Sequence, residues 1–156
     1  MKKMKILLVS DTHGHDEILL DLVKTYPNMD LYLHAGDSVS DEYSIHPFIS
    51  VMGNCDYYPF SEFYRVNTPI GYLLMRHLPY FSDEQEEKNK ILIHGHTHKA
   101  YFSSDEGKIF LCPGSPNLPK DNTEGTYMIL DLREKESHVY IHDINSKIIL
   151  TIYEIR

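Results

Sequence analysis

"ILIHGHTHKA", residues 91–100, sets a short apolar run in front of His94, His96 and His98, spaced by a glycine and a threonine. Alternation alone makes this a strand end with one imidazole face. Aligned imidazoles are costly unless something binds them, and the neutral ring is the commonest protein metal ligand. A histidine-rich strand edge at the surface accounts for the segment equally well. The decision therefore falls to the rest of the chain.

A short apolar run followed by Asp, His or Asn recurs upstream. "KILLV" at 5–9 reads as a buried strand ending in "SDTHGH", and "DLYLHAGD" (30–37) and "PFISVMGNCD" (47–56) read as two more. Between the first two, Ile18, Leu19, Leu22 and Val23 have helical spacing, with Asp16 and Glu17 in the first turn and Pro27 beyond the end. "EFYRV" (62–66) and "GYLLMRH" (71–77) are strands joined through a turn containing Pro and Gly, and the polar "FSDEQEEKNK" (81–90) reads as a loop rather than a helical turn. A hairpin, "AYFSSDEGKIFL" (100–111), turns at Asp105–Gly107, and "CPGSP" (112–116) makes a tight turn. "TYMILDL", "SHVYIHD" and "KIILTIYEI" then close the chain as β-branched and aromatic strands. This order predicts an α/β fold as one domain over residues 1–156, with parallel pairing early and antiparallel β at the end.

Composition narrows the function. The net charge of −8, from 15 basic and 23 acidic residues, argues against stable nucleic-acid binding. It still admits a phosphate substrate, because bound metal ions reverse the local sign. Every apolar run is far shorter than the ~20 residues of a membrane helix, so no membrane partner is expected. The opening "MKKMKILLVSDTH" breaks at once into polar residues, which favours a buried first strand over a signal peptide. With only Cys55 and Cys112 and no export signal, the expected compartment is the reducing cytoplasm.

The polar groups that follow the strands are Asp11 and His13, Asp37, Asn54 with Asp56, His77, and His96 with His98. Groups at the carboxyl ends of several strands converge on one edge of an α/β sheet. Their oxygens and imidazole nitrogens suit Mn, Fe, Zn or Ni. They outnumber what one tetrahedral ion needs, so two ions sharing a bridging carboxylate fit the count. Such a pair, about 3.5–4 Å apart, can clamp a phosphate.

In this order, "DTH", "GD", "GNCD", a histidine ending a strand, "GHTH" and "PGSP" resemble the calcineurin-like metallophosphoesterases. "DTH" or "GD" alone is weak and "GHTH" is moderately specific, but the ordered set is highly specific. The short length and "GNCD" point to the YfcE-type phosphodiesterase branch, which also contains the retromer scaffolding subunit. The resemblance implies a β-sandwich of two mixed sheets flanked by helices, with a dimetal site at strand carboxyl ends. By position it gives Asp11, His13 and His98 to the first metal, Asp37 to both, and Asn54, His77 and His96 to the second. Asp37, Asn54 and His96 would carry catalysis, and His94 would be no ligand. The implied cofactors are two divalent ions, Mn²⁺ foremost, with Zn²⁺, Fe²⁺ or Ni²⁺ as alternatives. The implied reaction is hydrolysis of a small phosphodiester by a metal-bridging hydroxide; the alternative is a weak or inactive scaffold for protein binding. Assembly into a homo-oligomer is left open.

Two departures from the pattern stand out. His77 lies in "LLMRHLPYF", where Leu78 and Pro79 replace the usual glycine and second polar group, so it could merely end a strand. Cys55 follows Asn54 where relatives acting readily on monoesters often have a histidine acid, which favours diesters with good leaving groups. Cys55 itself reads as a small packed residue beside the site. Cys112 reads as turn chemistry, Asp56 as a residue orienting a loop or a ligand, and His34 as packed or supporting. Tyr57, Tyr58 and Tyr80 follow the site motifs, where core or surface packing is the expectation and a pocket rim the alternative.

Overall fold

A computed structural model describes residues 1–155. In chain order its elements are β1 (Lys3–Val9), α1 (Asp16–Thr25), β2 (Leu31–His34), β3 (Ile49–Ser50), β4 (Phe63–Thr68) and β5 (Gly71–Arg76). There follow α2 (Asp83–Lys88), β6 (Ile91–Ile93), β7 (Ala100–Asp105), β8 (Lys108–Pro113), β9 (Thr126–Arg133), β10 (Ser137–Asp143) and β11 (Ile149–Ile155). The strands form two mixed sheets, one ordered β11-β10-β9-β1-β2-β3 and the other β4-β5-β6-β8-β7. β1, β2 and β3 are parallel neighbours, as are β5, β6 and β8, while β9, β10 and β11 run antiparallel.

β1 shows why its sequence is apolar without interruption. Ile6 and Leu8 face the layer between the sheets, packing with Leu33, Leu73, Met75, Ile93 and Met128. Leu7 and Val9 face the opposite way, against Leu19 and Leu22 of α1 and against Tyr32, Phe48 and Tyr127. A strand covered on both faces reads as a continuous hydrophobic run. The helix supplies that second cover.

Two expectations are corrected. The segment 81–90 contains a helix, α2, rather than only a loop. The Ser82 hydroxyl accepts the Gln85 N–H at 3.1 Å and the Ser82 N–H donates to Gln85 Oε1 at 2.8 Å, a capping box that stabilises the turn without burying any of its side chains. The "PFISV" strand shrinks to two residues, because β3 is an edge strand pairing only with Leu33 and His34 before the chain turns toward the site. Among the described residues no helix is long and apolar enough to cross a membrane.

The parallel strands set the site. β1, β2, β3, β5, β6 and β8 are followed by loops 10–15, 35–48, 51–62, 77–82, 94–99 and 114–125. Each of the first five carries at least one of the acid, amide or imidazole groups singled out from sequence.

Candidate metal centre

The loops bring all seven expected ligands together. Asp11 Oδ1 lies 3.4 Å from His98 Nε2, 3.9 Å from His77 Nε2 and 4.0 Å from His13 Nε2. Asp37 Oδ2 lies 3.2 Å from His77 Nε2 and 3.9 Å from His13 Nε2. Donor atoms of Asp11, His13 and His98 fall within 4.8 Å of one another, as do those of Asp11, Asp37 and His77. Asp11 Oδ1 and His13 Nε2 are buried without a hydrogen-bond partner. A buried carboxylate oxygen without a partner is costly, and a cation in the gap would satisfy it.

The histidine tautomers sharpen the point. The His77 Nδ1–H donates to the Ala35 carbonyl at 2.8 Å, and the His98 Nδ1–H donates to the Leu118 carbonyl at 2.7 Å. In the neutral rings Nε2 then presents a lone pair to the centre, as metal-ligating histidines do when a backbone carbonyl holds the other nitrogen. His77 Nε2 is 2.9 Å from Asn54 Oδ1, and His96 Nδ1 is 3.2 Å from that oxygen and 3.3 Å from His77 Nε2. Asn54 is oriented with its amide nitrogen toward Cys55 Sγ. Four electron-pair donors, counting Asp37 Oδ2, crowd one small volume. They need a proton or a cation among them, and the donor set fits a divalent ion bound by oxygen and nitrogen.

Burial opposes charge on His77, but the hydrogen bond to Asp37, the Ala35 carbonyl and the charges of Asp11 and Asp37 outweigh it and raise its pKa. Burial likewise raises Asp37, yet the contacts from His77, the Cys55 backbone and His13 prevail and hold it at about 2. Asp11 goes up through burial, against the opposing Ser10 hydroxyl and the charges of His77 and His98.

Backbone strain gathers here too. Asp11, His13, Asp37, His96 and His98 all have positive φ, between 45° and 72°. Non-glycine residues rarely adopt that region, and such strain concentrates at functional sites. The glycine before a ligand also has a reason. A Cβ on Gly53 would sit 2.1 Å from Asp37 Oδ1, and one on Gly95 would sit 2.2 Å from Ser10 Oγ.

Asp56 orients a loop. Its carboxylate accepts the N–H groups of Asp37 and Val39 at 2.9 Å and of Gly53 at 2.7 Å, clamping the Asp37 turn against the Asn54 turn. His34 is fully buried, with Nδ1 accepting the Gly36 N–H at 3.1 Å and Nε2–H donating to Thr12 Oγ1 at 2.9 Å. Burial pushes its pKa down to about 3. His94 is buried, with Nδ1–H donating to the Gly95 carbonyl, and stands outside the grouped donors.

Sequence reasoning missed the serines. The Ser10 hydroxyl donates to Asp11 Oδ2 at 2.6 Å and the Ser115 hydroxyl to the Asp11 carbonyl at 2.9 Å, while Asn117 Nδ2 donates to the Thr12 carbonyl at 3.1 Å. "PGSPN" is therefore the strap that fixes the "DTH" loop. Its presence among the motifs was the available signal, although nothing in its spacing told its partner. One expectation is corrected: Cys55 is exposed rather than packed. Tyr57 and Tyr80 are about two-thirds exposed.

The calcineurin-like phosphoesterase superfamily domain matches residues 4–135. The probable metallophosphoesterase YsnB of Bacillus subtilis is 28% identical over 154 residues, covering 90% of this chain and 91% of that protein. A Streptococcus pneumoniae protein described as a predicted phosphoesterase shares the fold with a TM-score of 0.85 at 22% identity, over 99% of both chains. YfcE, a phosphoesterase from E. coli, gives 0.77 at 21% identity, over 98% of this chain and 100% of its own. Vacuolar Protein Sorting 29 of Cryptosporidium parvum gives 0.75 at 21%, over 99% and 98%.

Proposed function

Because the chain belongs to the calcineurin-like phosphoesterase superfamily, we propose that it is a metal-dependent phosphodiesterase whose centre holds two divalent ions, Mn²⁺ foremost. The observation that carries this reading is the crowding of lone pairs from Asp37, Asn54, His77 and His96, with the His77 tautomer fixed by a backbone carbonyl. Two such ions would supply Lewis acidity toward phosphoryl oxygens and make water nucleophilic near neutral pH.

The chain's own groups do the rest. Asp37 divides its labour: Oδ1 accepts the Cys55 N–H at 2.8 Å, which fixes the carboxylate, while Oδ2 faces His13 and His77. Asp11, His13 and His98 make the first set, and Asp37 joins it to Asn54, His77 and His96. The His96 backbone N–H donates to Asp11 Oδ2 at 3.0 Å, tying the two halves together. The imidazole of His96 and the amide of Asn54 lie at the accessible side, where they would stabilise negative charge gathering on the phosphoryl group.

Beside Asn54 and His77 opens a cleft of about 350 Å³, lined also by Met52, Leu78 and Arg76. It offers one ester arm apolar contact, while the Arg76 guanidinium is held by Glu62, which also lines the cleft, and by the Tyr80 carbonyl. No histidine follows Asn54 to protonate a poor leaving group, and general-acid help of that kind is worth about 10²–10⁴-fold. Diesters with good leaving groups are therefore the favoured substrates.

The test is turnover of bis-p-nitrophenyl phosphate against the matching monoester by protein stripped of metal and reloaded with Mn²⁺, with Asp37→Asn as control. Metal-dependent diester hydrolysis lost in the variant supports the reading. No turnover with two ions bound would favour instead a protein-binding scaffold of the same fold.

A further inference from the structure

We infer that Cys55 is an additional, soft ligand of this centre, which raises the affinity of the site for thiophilic ions such as Cd²⁺ and Zn²⁺ relative to Mn²⁺. The inference rests on the metal centre proposed above. Its ground is a third donor group that overlaps the other two: a ring nitrogen of His13, a carboxylate oxygen of Asp37 and Cys55 Sγ lie within 4.8 Å of one another. His13 Nε2 has no hydrogen-bond partner. The fully buried Asp11 carboxylate, its Oδ1 also unpartnered, points at that same nitrogen from 4.0 Å. A cation held by His13 and Asp37 would sit within reach of the sulfur.

The distances allow it. With Zn–S near 2.3 Å and Zn–N near 2.0–2.1 Å, donors on opposite sides of one ion are about 4.4 Å apart. The 4.8 Å limit exceeds this by a few tenths of an ångström. Cys55 is exposed, so rotation about χ1 can close the gap without repacking a core. Its backbone does not need to move, since the Cys55 N–H is already bonded to Asp37 Oδ1. The other cysteine, Cys112, is buried beside Thr97 and Gly95 and belongs to none of the three groups.

Thiolate prefers soft and borderline ions, whereas carboxylate, amide and water suit Mn²⁺. With a thiophilic ion the sulfur would take a coordination position that a substrate oxygen needs. Such ions should then bind tightly and turn over slowly.

The experiment is a Cd²⁺ titration of metal-stripped protein, followed by sulfur-to-metal charge-transfer absorption in the near ultraviolet, with bound metal counted by equilibrium dialysis. Thermal unfolding verifies that Cys55→Ser is folded. The expected result is a band that grows with bound Cd²⁺ in the wild type and is absent from Cys55→Ser, which retains Cys112, together with a fall of at least tenfold in the preference for Cd²⁺ over Mn²⁺. A band undiminished in Cys55→Ser, or no band in the wild type at Cd²⁺ saturation, overturns the inference. The band is read without substrate. Failure of diester turnover with Mn²⁺ would count against the proposed activity and leave the Cys55 result standing.

Discussion

His34 gives the most direct handle on how the fold supports its site. Its ordinary pKa near 6.5 is pushed by complete burial down to about 3, so the folded protein keeps the ring neutral where the unfolded chain protonates it. A lowered folded value means that the neutral ring's contribution is fully present above the unfolded pKa and is lost as pH falls toward the folded one. The slope is about 1.4 kcal/mol per pH unit inside that window, so at about pH 5 the loss comes to about 2 kcal/mol. Asn at position 34 cannot titrate, keeps an acceptor for the Gly36 N–H and gives up the bond to Thr12, a cost of about 1 kcal/mol. His77, whose raised pKa acts in the opposite sense and contributes stability that is lost as pH rises, is present in both proteins; its charge adds to burial in lowering His34. Urea unfolding of metal-stripped wild type and His34→Asn, from about pH 7.5 to 5, should find the wild type more stable at neutral pH and the two curves converging or crossing by about pH 5. Parallel pH dependences would refute the assignment of His34 as a buried neutral ring.

Gly53→Ala should both lower the melting temperature and reduce Mn²⁺-supported diester turnover at least tenfold, because its Cβ would lie 2.1 Å from Asp37 Oδ1 and 2.5 Å from the Asp37 backbone nitrogen and displace that turn; kinetics and melting of the same preparation check both halves. Asp56→Ala leaves three backbone N–H groups without their acceptor, and with charged hydrogen bonds worth about 1.5–3 kcal/mol each it should lower unfolding free energy by several kcal/mol in denaturant titrations. Metal affinity should rise with pH through the raised pKa of His77, since an entering ion competes with its proton; calorimetry in buffers of different ionisation enthalpy should detect proton release. Affinity independent of pH would deny His77 a place at the ion.

What the sequence shows most clearly is what backbone periodicity controls. The run "KILLV" is apolar throughout because β1 is covered by a sheet on one side and α1 on the other, and the same logic marks β2, β6 and β9. The candidate ligands are legible because they follow such runs, and strand ends of parallel sheets share an edge. Less legible is whatever depends on contacts distant in sequence. Nothing near Ser115 announces that its hydroxyl holds the Asp11 carbonyl, a partner 104 residues away. Nothing near His77 says that the Ala35 carbonyl will fix its tautomer, so Leu78 and Pro79 made it look doubtful while the fold holds it in place regardless. α2 is a different lesson: Ser82 and Gln85 form a capping box that was readable, but an all-polar segment looks like a loop when only apolar periodicity is weighed. Cys55 turned out exposed because the Asn54 turn projects it over the centre rather than into the core.

Metal stoichiometry tests the proposed centre most directly. Metal-stripped protein reloaded with Mn²⁺ should retain two ions per chain by native mass spectrometry, and His77→Ala should retain one. One ion or none in the wild type, or two in the variant, would contradict a second ion set held by Asp37, Asn54, His77 and His96.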